Sequence, residues 1–250
     1  MTGVAEKGGR LRYWLLLPIA VTLTVLCATF LLFTQLLLVV LALGNQWPSR
    51  RFALTVARFW ARSILSVSGV RVEVIGDGHV GRPVIFASNH QGVYDIFAMF
   101  VAVPEFFTFI AKRELFYVPF LGWHLWLAGY VLVDRARHSD ALRSLERAGE
   151  KIRSGQSIVV FPEGTRSKDG SVLPFKKGSF QLALTAQVPI VPVAIEGSQW
   201  VMRKHELKIY PGTIRVAFGK PIEPSATRDR DALMRETRDQ VVALHRSLLS

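Results

Sequence analysis

The chain has 250 residues, half of them hydrophobic, and its mean hydropathy of +0.28 is high for a freely soluble enzyme. It carries 31 lysines and arginines against 19 aspartates and glutamates, and the resulting net charge of +12 suits an anionic partner. The hydrophobicity favours a membrane surface over nucleic acid, and the sequence contains no motif of the DNA- or RNA-binding domains. The single cysteine, Cys27, excludes an internal disulfide and a cysteine-based metal cluster.

The first long feature is an uncharged segment from Tyr13 to Ser49. A bilayer crossing takes about 20 residues, so we predict that residues 1–50 form a helical anchor embedded in a membrane. Two arrangements stay open: one long tilted helix, or a re-entrant pair of shorter helices. Two arginines just before the segment and two just after it favour the re-entrant pair, with both ends on the cytoplasmic face. Against that pair, no Gly or Pro lies between Ile19 and Leu43 to make a turn.

Residues 51–69 are predicted to form an amphipathic helix that lies in the membrane interface. Its polar face is mostly basic and consists of Arg51, Thr55, Arg58 and Arg62. A basic stripe beside a broad apolar face is typical of interfacial helices. The alternative is an ordinary helix that packs its apolar face on a core and leaves the arginines in water.

The remaining residues, 70–250, alternate between strand and helix patterns. Apolar or alternating runs predict strands at 70–75, 84–88, 157–161 and 188–195, and charged periodic stretches predict helices at 137–153 and 225–250. Two further short apolar runs on either side of Pro211-Gly212 predict a β-hairpin. We therefore predict an α/β fold, with a mixed and mostly parallel sheet flanked by helices, after the membrane-embedded segment.

His90 and Asp95 lie on the turn between the predicted strand 84–88 and an apolar helix. On an unbroken helix, five residues place two side chains about 140° apart. The pair can meet only if a turn intervenes, and Gln91-Gly92 can supply one because glycine has wide backbone freedom. An aspartate bonded to one ring nitrogen leaves the other nitrogen free to take a proton. Taken alone, this stretch also fits a surface histidine beside a helix-capping aspartate.

A second motif runs from Phe161 to Ser167, with a related block from Phe175 to Gly178 behind it. Together with the His-x-x-x-x-Asp motif, it resembles the glycerolipid acyltransferases, in particular the 1-acyl-glycerol-3-phosphate acyltransferases. The resemblance extends from about residue 82 to residue 196, with further agreement to near residue 223. Several motifs in the same order make this resemblance specific.

The resemblance implies a role for each motif residue. His90 would be the general base that removes the proton of an acceptor hydroxyl, and Asp95 would orient it. Acceptor binding is implied for four residues of the second motif: Glu163, Gly164, Thr165 and Arg166. Phosphate roles are suggested for Lys112 and Arg135, for which a solvated charge is the alternative. No Gly-x-Ser-x-Gly elbow is present, which favours direct acyl transfer over an acyl-enzyme.

The implied reaction moves a fatty acyl group from acyl-CoA or acyl-carrier protein to lysophosphatidic acid, giving phosphatidic acid at the cytoplasmic face of a membrane. No cofactor is expected, and the histidines lack metal-ligand spacing, so no metal site is predicted. Two alternatives stay open. One is the same chemistry on another lysophospholipid or a lyso-aminolipid, and the other is a non-catalytic protein that binds membrane lipids.

Overall fold

The computed structural model describes residues 18–19, 21–27, 29–30, 33–34, 37, 47–118, 122, 125–126, 130–133, 138–203, 206, 208–224 and 229–249. The strands are β1 (Val70–Ile75), β2 (Ile85–Ser88), β3 (Phe107–Lys112), β4 (Val131–Val133), β5 (Ser157–Val160), β6 (Ile190–Glu196) and β7 (Gly212–Phe218). The helices are α1 (Trp47–Val67), α2 (Tyr94–Ala102), α3 (His138–Arg153), α4 (Gly178–Ala186), α5 (Ser198–Val201) and α6 (Arg230–Leu249), with a 3₁₀ helix at Arg113–Tyr117.

The seven strands form one sheet in the order β1-β7-β6-β2-β5-β3-β4. All neighbouring strands run parallel except β6 and β7, which are antiparallel. Parallel neighbours need long crossover connections, and helices supply most of them here. The predicted α/β fold with a mixed, mostly parallel sheet is therefore confirmed.

The predicted β-hairpin around Pro211-Gly212 is wrong. Residues 212–218 do form β7, but residues 208–211 form no strand. Instead, the N–H of Tyr210 donates to the carbonyl of Val201 at 2.8 Å. Strand β7 pairs instead in parallel with β1, which lies far away in sequence, and antiparallel with β6, from which it is separated by α5 and the residues that follow α5.

Strand β2 lies inside the sheet and is buried on both faces. Phe86 belongs to the core cluster under α1 and α2, whereas Ile85 and Ala87 belong to the cluster under α3, α4 and α6. All three residues have no exposed surface. A strand covered on both sides has apolar residues facing both ways, so residues 84–88 do not alternate between apolar and polar types.

Helix α1 begins at Trp47, four residues before the start predicted for the amphipathic helix. Its buried side contributes Leu54, Ala57 and Ile64 to the core cluster that also contains Phe86. The Arg58 side chain was predicted to lie on the basic polar face, but its Nη2 donates to the carbonyls of Val103 (2.8 Å), Pro104 (3.1 Å) and Glu105 (2.9 Å). Nη2 carries two hydrogens, so one of them is shared between two of the three carbonyls where α2 has ended.

The N-terminal residues described between 18 and 37 are helical. Leu23 packs against the core cluster under α1, and the indole Nε1 of Trp60 donates to Oγ1 of Thr24 at 3.3 Å. Among the described residues, no helix combines the length and the apolar character that a bilayer crossing requires. Much of the predicted anchor at 1–50 lies outside the described residues.

The Arg58 contacts predict an asymmetry between two arginines of α1. Replacing Arg58 with Ala removes charged donors from three carbonyls and should lower the free energy of unfolding by about 1–3 kcal/mol. Replacing the exposed Arg62 should change it by less than about 0.5 kcal/mol. Equilibrium unfolding of the two purified variants measures both values. Equal losses would show that the carbonyl contacts contribute nothing.

Candidate active site

The His-Asp turn and the Phe161–Ser167 loop meet at one edge of the sheet. Strands β2 and β5 are parallel neighbours, so the loops that follow them leave from the same edge. The side chain of Asn89 fixes the first loop to β6, because its Nδ2 donates to the carbonyl of Ile195 (2.9 Å) and its Oδ1 accepts from the Ile195 N–H (2.8 Å). A reciprocal pair of buried bonds of this kind leaves the loop little freedom.

Within the first loop, His90 and Asp95 are in direct contact. Nδ1 of His90 lies 2.6 Å from Oδ2 of Asp95, and the same oxygen accepts the backbone N–H of Gln91 (2.7 Å) and of Gly92 (2.9 Å). Asp95 has no exposed surface, whereas 17% of the His90 side chain is exposed. A carboxylate only accepts hydrogen bonds, so His90 carries a proton on Nδ1. Its Nε2 is then left with a lone pair that can accept a proton.

Glycine at position 92 lets the turn pack closely against α5. A Cβ there would lie 2.9 Å from the carbonyl oxygen of Ser198 and 3.1 Å from its hydroxyl. Only a residue without a side chain lets the catalytic turn approach α5 this closely. Gly92 does not have a positive φ, so in this turn glycine is used for close packing and not for backbone freedom.

A ring stacks on the His90 imidazole. The Phe161 ring lies 4.1 Å from it, centroid to centroid, at an interplanar angle of 17°. The Phe109 ring lies 6.2 Å beyond Phe161 and is also nearly parallel to it. Stacking restricts the plane of the imidazole while Asp95 restricts its rotation. Phe161 is the first residue of the second sequence motif, but its spacing alone did not show this contact.

The second loop is tied to the backbone of the first. The N–H of Ser167 donates to the His90 carbonyl at 2.8 Å, so Arg166 directly precedes a residue in contact with the candidate base. Arg166 is half-buried, and no described residue forms a hydrogen bond or ion pair with its guanidinium. Thr165 is exposed beside it. The backbone of Arg166 therefore lies beside that of His90, and a guanidinium fork matches phosphate oxygens.

A second cation, Lys176, lies against Gly164 of this loop. The Gly164 φ of +72° lies in the left-handed region, and a Cβ would sit 2.9 Å from both Cε and Nζ of Lys176. The exposed ammonium of Lys176 therefore lies directly over the turn that precedes Arg166. The sequence motif included Lys176 without assigning it a role, since spacing does not show a contact between residues 164 and 176, twelve positions apart in a loop.

Glu163 is turned into the protein. Its side chain is 3% exposed, Oε1 accepts the Leu173 N–H at 3.2 Å, and Oε2 has no partner among the described residues. Burial raises the pKa of Glu163 to about 8, helped by the charge of Asp95 and opposed by hydrogen bonds from the backbone N–H groups of Leu173 and His90. The carboxyl group is therefore mostly protonated at neutral pH. Its predicted part in acceptor binding stays a prediction.

The structure describes only one of the two basic residues suggested to contact phosphate outside the second motif. Lys112 ends strand β3, in register with Val133 of β4, so its backbone lies at the same edge of the sheet as the two loops. Arg135 lies outside the described residues. Among the residues that the structure covers, no group of three or more His, Cys, Asp or Glu side chains could hold a metal ion.

Residues 70–196, which contain both loops, match the family model described as Acyltransferase. The chain belongs to this family. It is 36% identical over 198 residues to 1-acyl-sn-glycerol-3-phosphate acyltransferase alpha of Homo sapiens, covering 77% of this chain and 70% of that protein. It is also 36% identical over 180 residues to 1-acyl-sn-glycerol-3-phosphate acyltransferase of Saccharomyces cerevisiae, covering 70% and 59% respectively.

A solved structure has the same fold as this acyltransferase. The crystal structure of the 1-acyl-sn-glycerophosphate (LPA) acyltransferase PlsC from Thermotoga maritima superposes with a TM-score of 0.82 and 28% sequence identity. The superposition covers 96% of this chain and 98% of that chain. The likeness therefore includes the whole arrangement of strands and helices around the two loops.

The buried carboxyl of Glu163 predicts a pH dependence of stability. Its pKa is raised to about 8 from an ordinary value of 4.5, so the folded protein keeps a proton that the unfolded chain loses. The stability contribution is full below about pH 4.5 and falls as pH rises towards 8, by on the order of 3 kcal/mol at pH 7. A Glu163→Gln variant lacks this titration.

Thermal unfolding of both proteins at pH 5 and at pH 8 measures the effect. The variant should gain stability relative to the parent enzyme at the higher pH. A difference between the two proteins that does not change with pH would show that Glu163 is ionised in the fold.

Proposed function

We propose that this acyltransferase moves a fatty acyl group from acyl-CoA or acyl-carrier protein to the free hydroxyl of lysophosphatidic acid, forming phosphatidic acid in phospholipid biosynthesis. The similar human and yeast proteins are named 1-acyl-sn-glycerol-3-phosphate acyltransferases, and the Thermotoga maritima structure is that of an LPA acyltransferase. The observation that carries the proposal is the backbone bond from the Ser167 N–H to the His90 carbonyl, which ties the turn with the candidate base to the loop that carries Arg166.

The reaction uses His90 first as a base and then as an acid. Nε2 takes the proton of the acceptor hydroxyl as the hydroxyl oxygen forms a bond to the thioester carbonyl carbon. Asp95 stabilises the imidazolium that results, through the bond at Nδ1. The tetrahedral intermediate then expels the thiolate by breaking the C–S bond, and the imidazolium returns its proton to the sulfur. General-base assistance of this kind contributes about 10²–10⁴-fold to the rate.

The cations of the second loop are suited to binding an anionic acceptor. Arg166 and Lys176 would hold the phosphate of lysophosphatidic acid on the outer side of the loop, where both side chains reach solvent. An ionised Glu163 in the same turn would repel that phosphate. Because burial raises the pKa of Glu163 to about 8, the carboxyl is neutral at physiological pH and the repulsion is absent.

We further propose that the enzyme works on the cytoplasmic face of a membrane, where its lysophosphatidic acid acceptor would reside. Several apolar side chains of the N-terminal helical residues are about half exposed or more: Ile19, Val21, Val25, Leu26, Phe30, Phe33 and Leu37. On α1, Phe59 is 65% exposed between the exposed Arg51 and Arg62. An apolar surface with flanking arginines is suited to anionic lipid.

Replacing His90 with Ala tests the base. With acyl-CoA and lysophosphatidic acid, the variant should release thiol at least about 100 times more slowly than the parent enzyme. The matched control is Ser154→Ala, an exposed change in the loop after α3 that should leave the rate unaltered. Thiol release at the parent rate in the His90 variant would exclude the mechanism.

A panel of lyso-lipid acceptors, assayed with one donor, separates lysophosphatidic acid from another lysophospholipid or a lyso-aminolipid.

Replacing Arg166 with Ala tests the phosphate contact. Losing a charge-assisted bond of about 1.5–3 kcal/mol should raise the acceptor KM by roughly 10- to 100-fold and change kcat less. Lys168→Ala removes an exposed positive charge two residues away and should change the acceptor KM less than about twofold. Equal effects of the two variants would mean that general electrostatic attraction, rather than a bound phosphate, is being measured.

Reporter fusions test the topology of the anchor. A reporter joined before residue 10 and another joined after residue 51 should both face the cytoplasm if the segment is re-entrant. Opposite orientations of the two reporters would establish a single crossing.

A further inference from the structure

A buried polar cluster lies beside the His90–Asp95 turn and reaches the end of the loop that carries Arg166. It joins Gln91 of the turn, Glu196 at the end of β6 and His245 of the C-terminal helix α6. The three residues are 3%, 6% and 8% exposed. Their side chains come from segments that are far apart in sequence, and none of the motifs described above includes Glu196 or His245.

Glu196 is the acceptor on which the cluster depends. Its Oε2 lies 2.6 Å from Nε2 of His245 and 2.8 Å from Nε2 of Gln91. The second proton of the Gln91 amide goes to the carbonyl of Gly170, at 3.0 Å. Because a carboxylate only accepts, His245 must carry a proton on Nε2, and the 2.9 Å contact between the two nitrogens then joins two donors. The negative charge between them holds both donors in place.

The charge on Glu196 is maintained inside the protein. Burial acts to raise the pKa of this carboxyl, but hydrogen bonds from His245 and Gln91, with the Gly197 N–H, outweigh it and leave the pKa below its ordinary value. The charged groups around the cluster are Asp169 on the second loop and Arg238 and Arg246 on α6, which line a cavity of about 430 Å³ together with Glu196 and His245.

Gln91 connects this cluster to both catalytic loops. Its backbone N–H donates to Asp95 Oδ2 at 2.7 Å, so the residue that the cluster holds also holds the partner of His90. Its side-chain amide donates to Gly170, at the end of the loop that carries Arg166. One residue thus sets the spacing between the base and the acceptor-binding loop, and its amide is oriented by Glu196 and His245.

We propose that Glu196 and His245 are positioning residues for acyl transfer, acting through the Gln91 amide to fix the catalytic turn against the Arg166 loop. Neither residue contacts the reacting atoms in this arrangement. Loss of the cluster would let the turn shift while Arg166 and Lys176 still bind the phosphate. The expected kinetic signature is a lower kcat with a nearly unchanged acceptor KM, since a displacement of about 1 Å can cost about 100-fold in rate.

Three variants of α6, each in the full chain, separate positioning from stability. His245→Leu removes the donor to Glu196 and should lower kcat at least about tenfold, with the acceptor KM within about twofold of the parent value. His245→Gln keeps an N–H donor and should restore most of kcat. Thr237→Val is the matched control, because it removes another buried hydrogen bond of α6, from Oγ1 to the Leu233 carbonyl at 2.7 Å, outside the cluster.

Thermal unfolding is measured on each variant alongside the kinetics. The proposal requires that Thr237→Val lose stability yet keep its kcat. It is overturned if both buried changes lower kcat in proportion to lost stability, or if His245→Leu changes the acceptor KM alone. Should His245→Leu fail to fold, Glu196→Gln replaces it, because that variant keeps the volume and removes the shared charge. A parent value of kcat in folded Glu196→Gln overturns the proposal.

The inference rests on the proposed acyl transfer, but failure of the positioning role can be distinguished from failure of the proposed function. The parent enzyme is assayed first, with acyl-CoA and each lyso-lipid acceptor, and the variants are then compared on the acceptor that it uses. No turnover by the parent on any acceptor counts against the proposed function. Turnover by the parent together with unaltered kcat in the cluster variants counts against the positioning role alone.

Discussion

One oxygen of Asp95 organises the active site. It is fully buried, and it accepts Nδ1–H of His90 and two backbone N–H groups of the turn between them. A buried carboxylate is stable only when such donors surround it, so the turn that supplies the N–H groups and the charge that needs them depend on each other. The same bonds decide the tautomer of His90 and therefore which nitrogen faces the substrate.

The rest of the site is joined to this turn mainly through the backbone. The Ser167 N–H bonds to the carbonyl of His90, and Asn89 exchanges two bonds with the backbone of Ile195. Backbone contacts fix distances without using the side chains that face the substrate. The turn holds the His90–Asp95 pair, and the loop tied to it carries Arg166, with Lys176 in contact with Gly164 of that loop.

The chemistry could be predicted from motifs, because turns and buried strands restrict which residue types can stand next to one another in the sequence. The turn between His90 and Asp95, the left-handed Gly164 and the buried strand 84–88 all show such patterns. The inward turn of Arg58, the stacking of Phe161 and the burial of Glu163 do not, since each depends on what another segment places nearby. The hairpin around Pro211-Gly212 failed for the same reason: local turn chemistry could not reveal that β7 has better partners in β1 and β6.

By itself the sequence determined the fold class and the family resemblance, and it predicted the base, its partner and the acceptor loop. Periodicity and motif spacing act over a few residues, and these features are local. Only the tertiary structure decided the strand order, the neutral state of Glu163, the approach of Lys176 to Gly164 and the cluster of Gln91, Glu196 and His245. Those contacts join residues as many as 154 positions apart, and their energies depend on burial and on charge distances that exist only after the chain has folded.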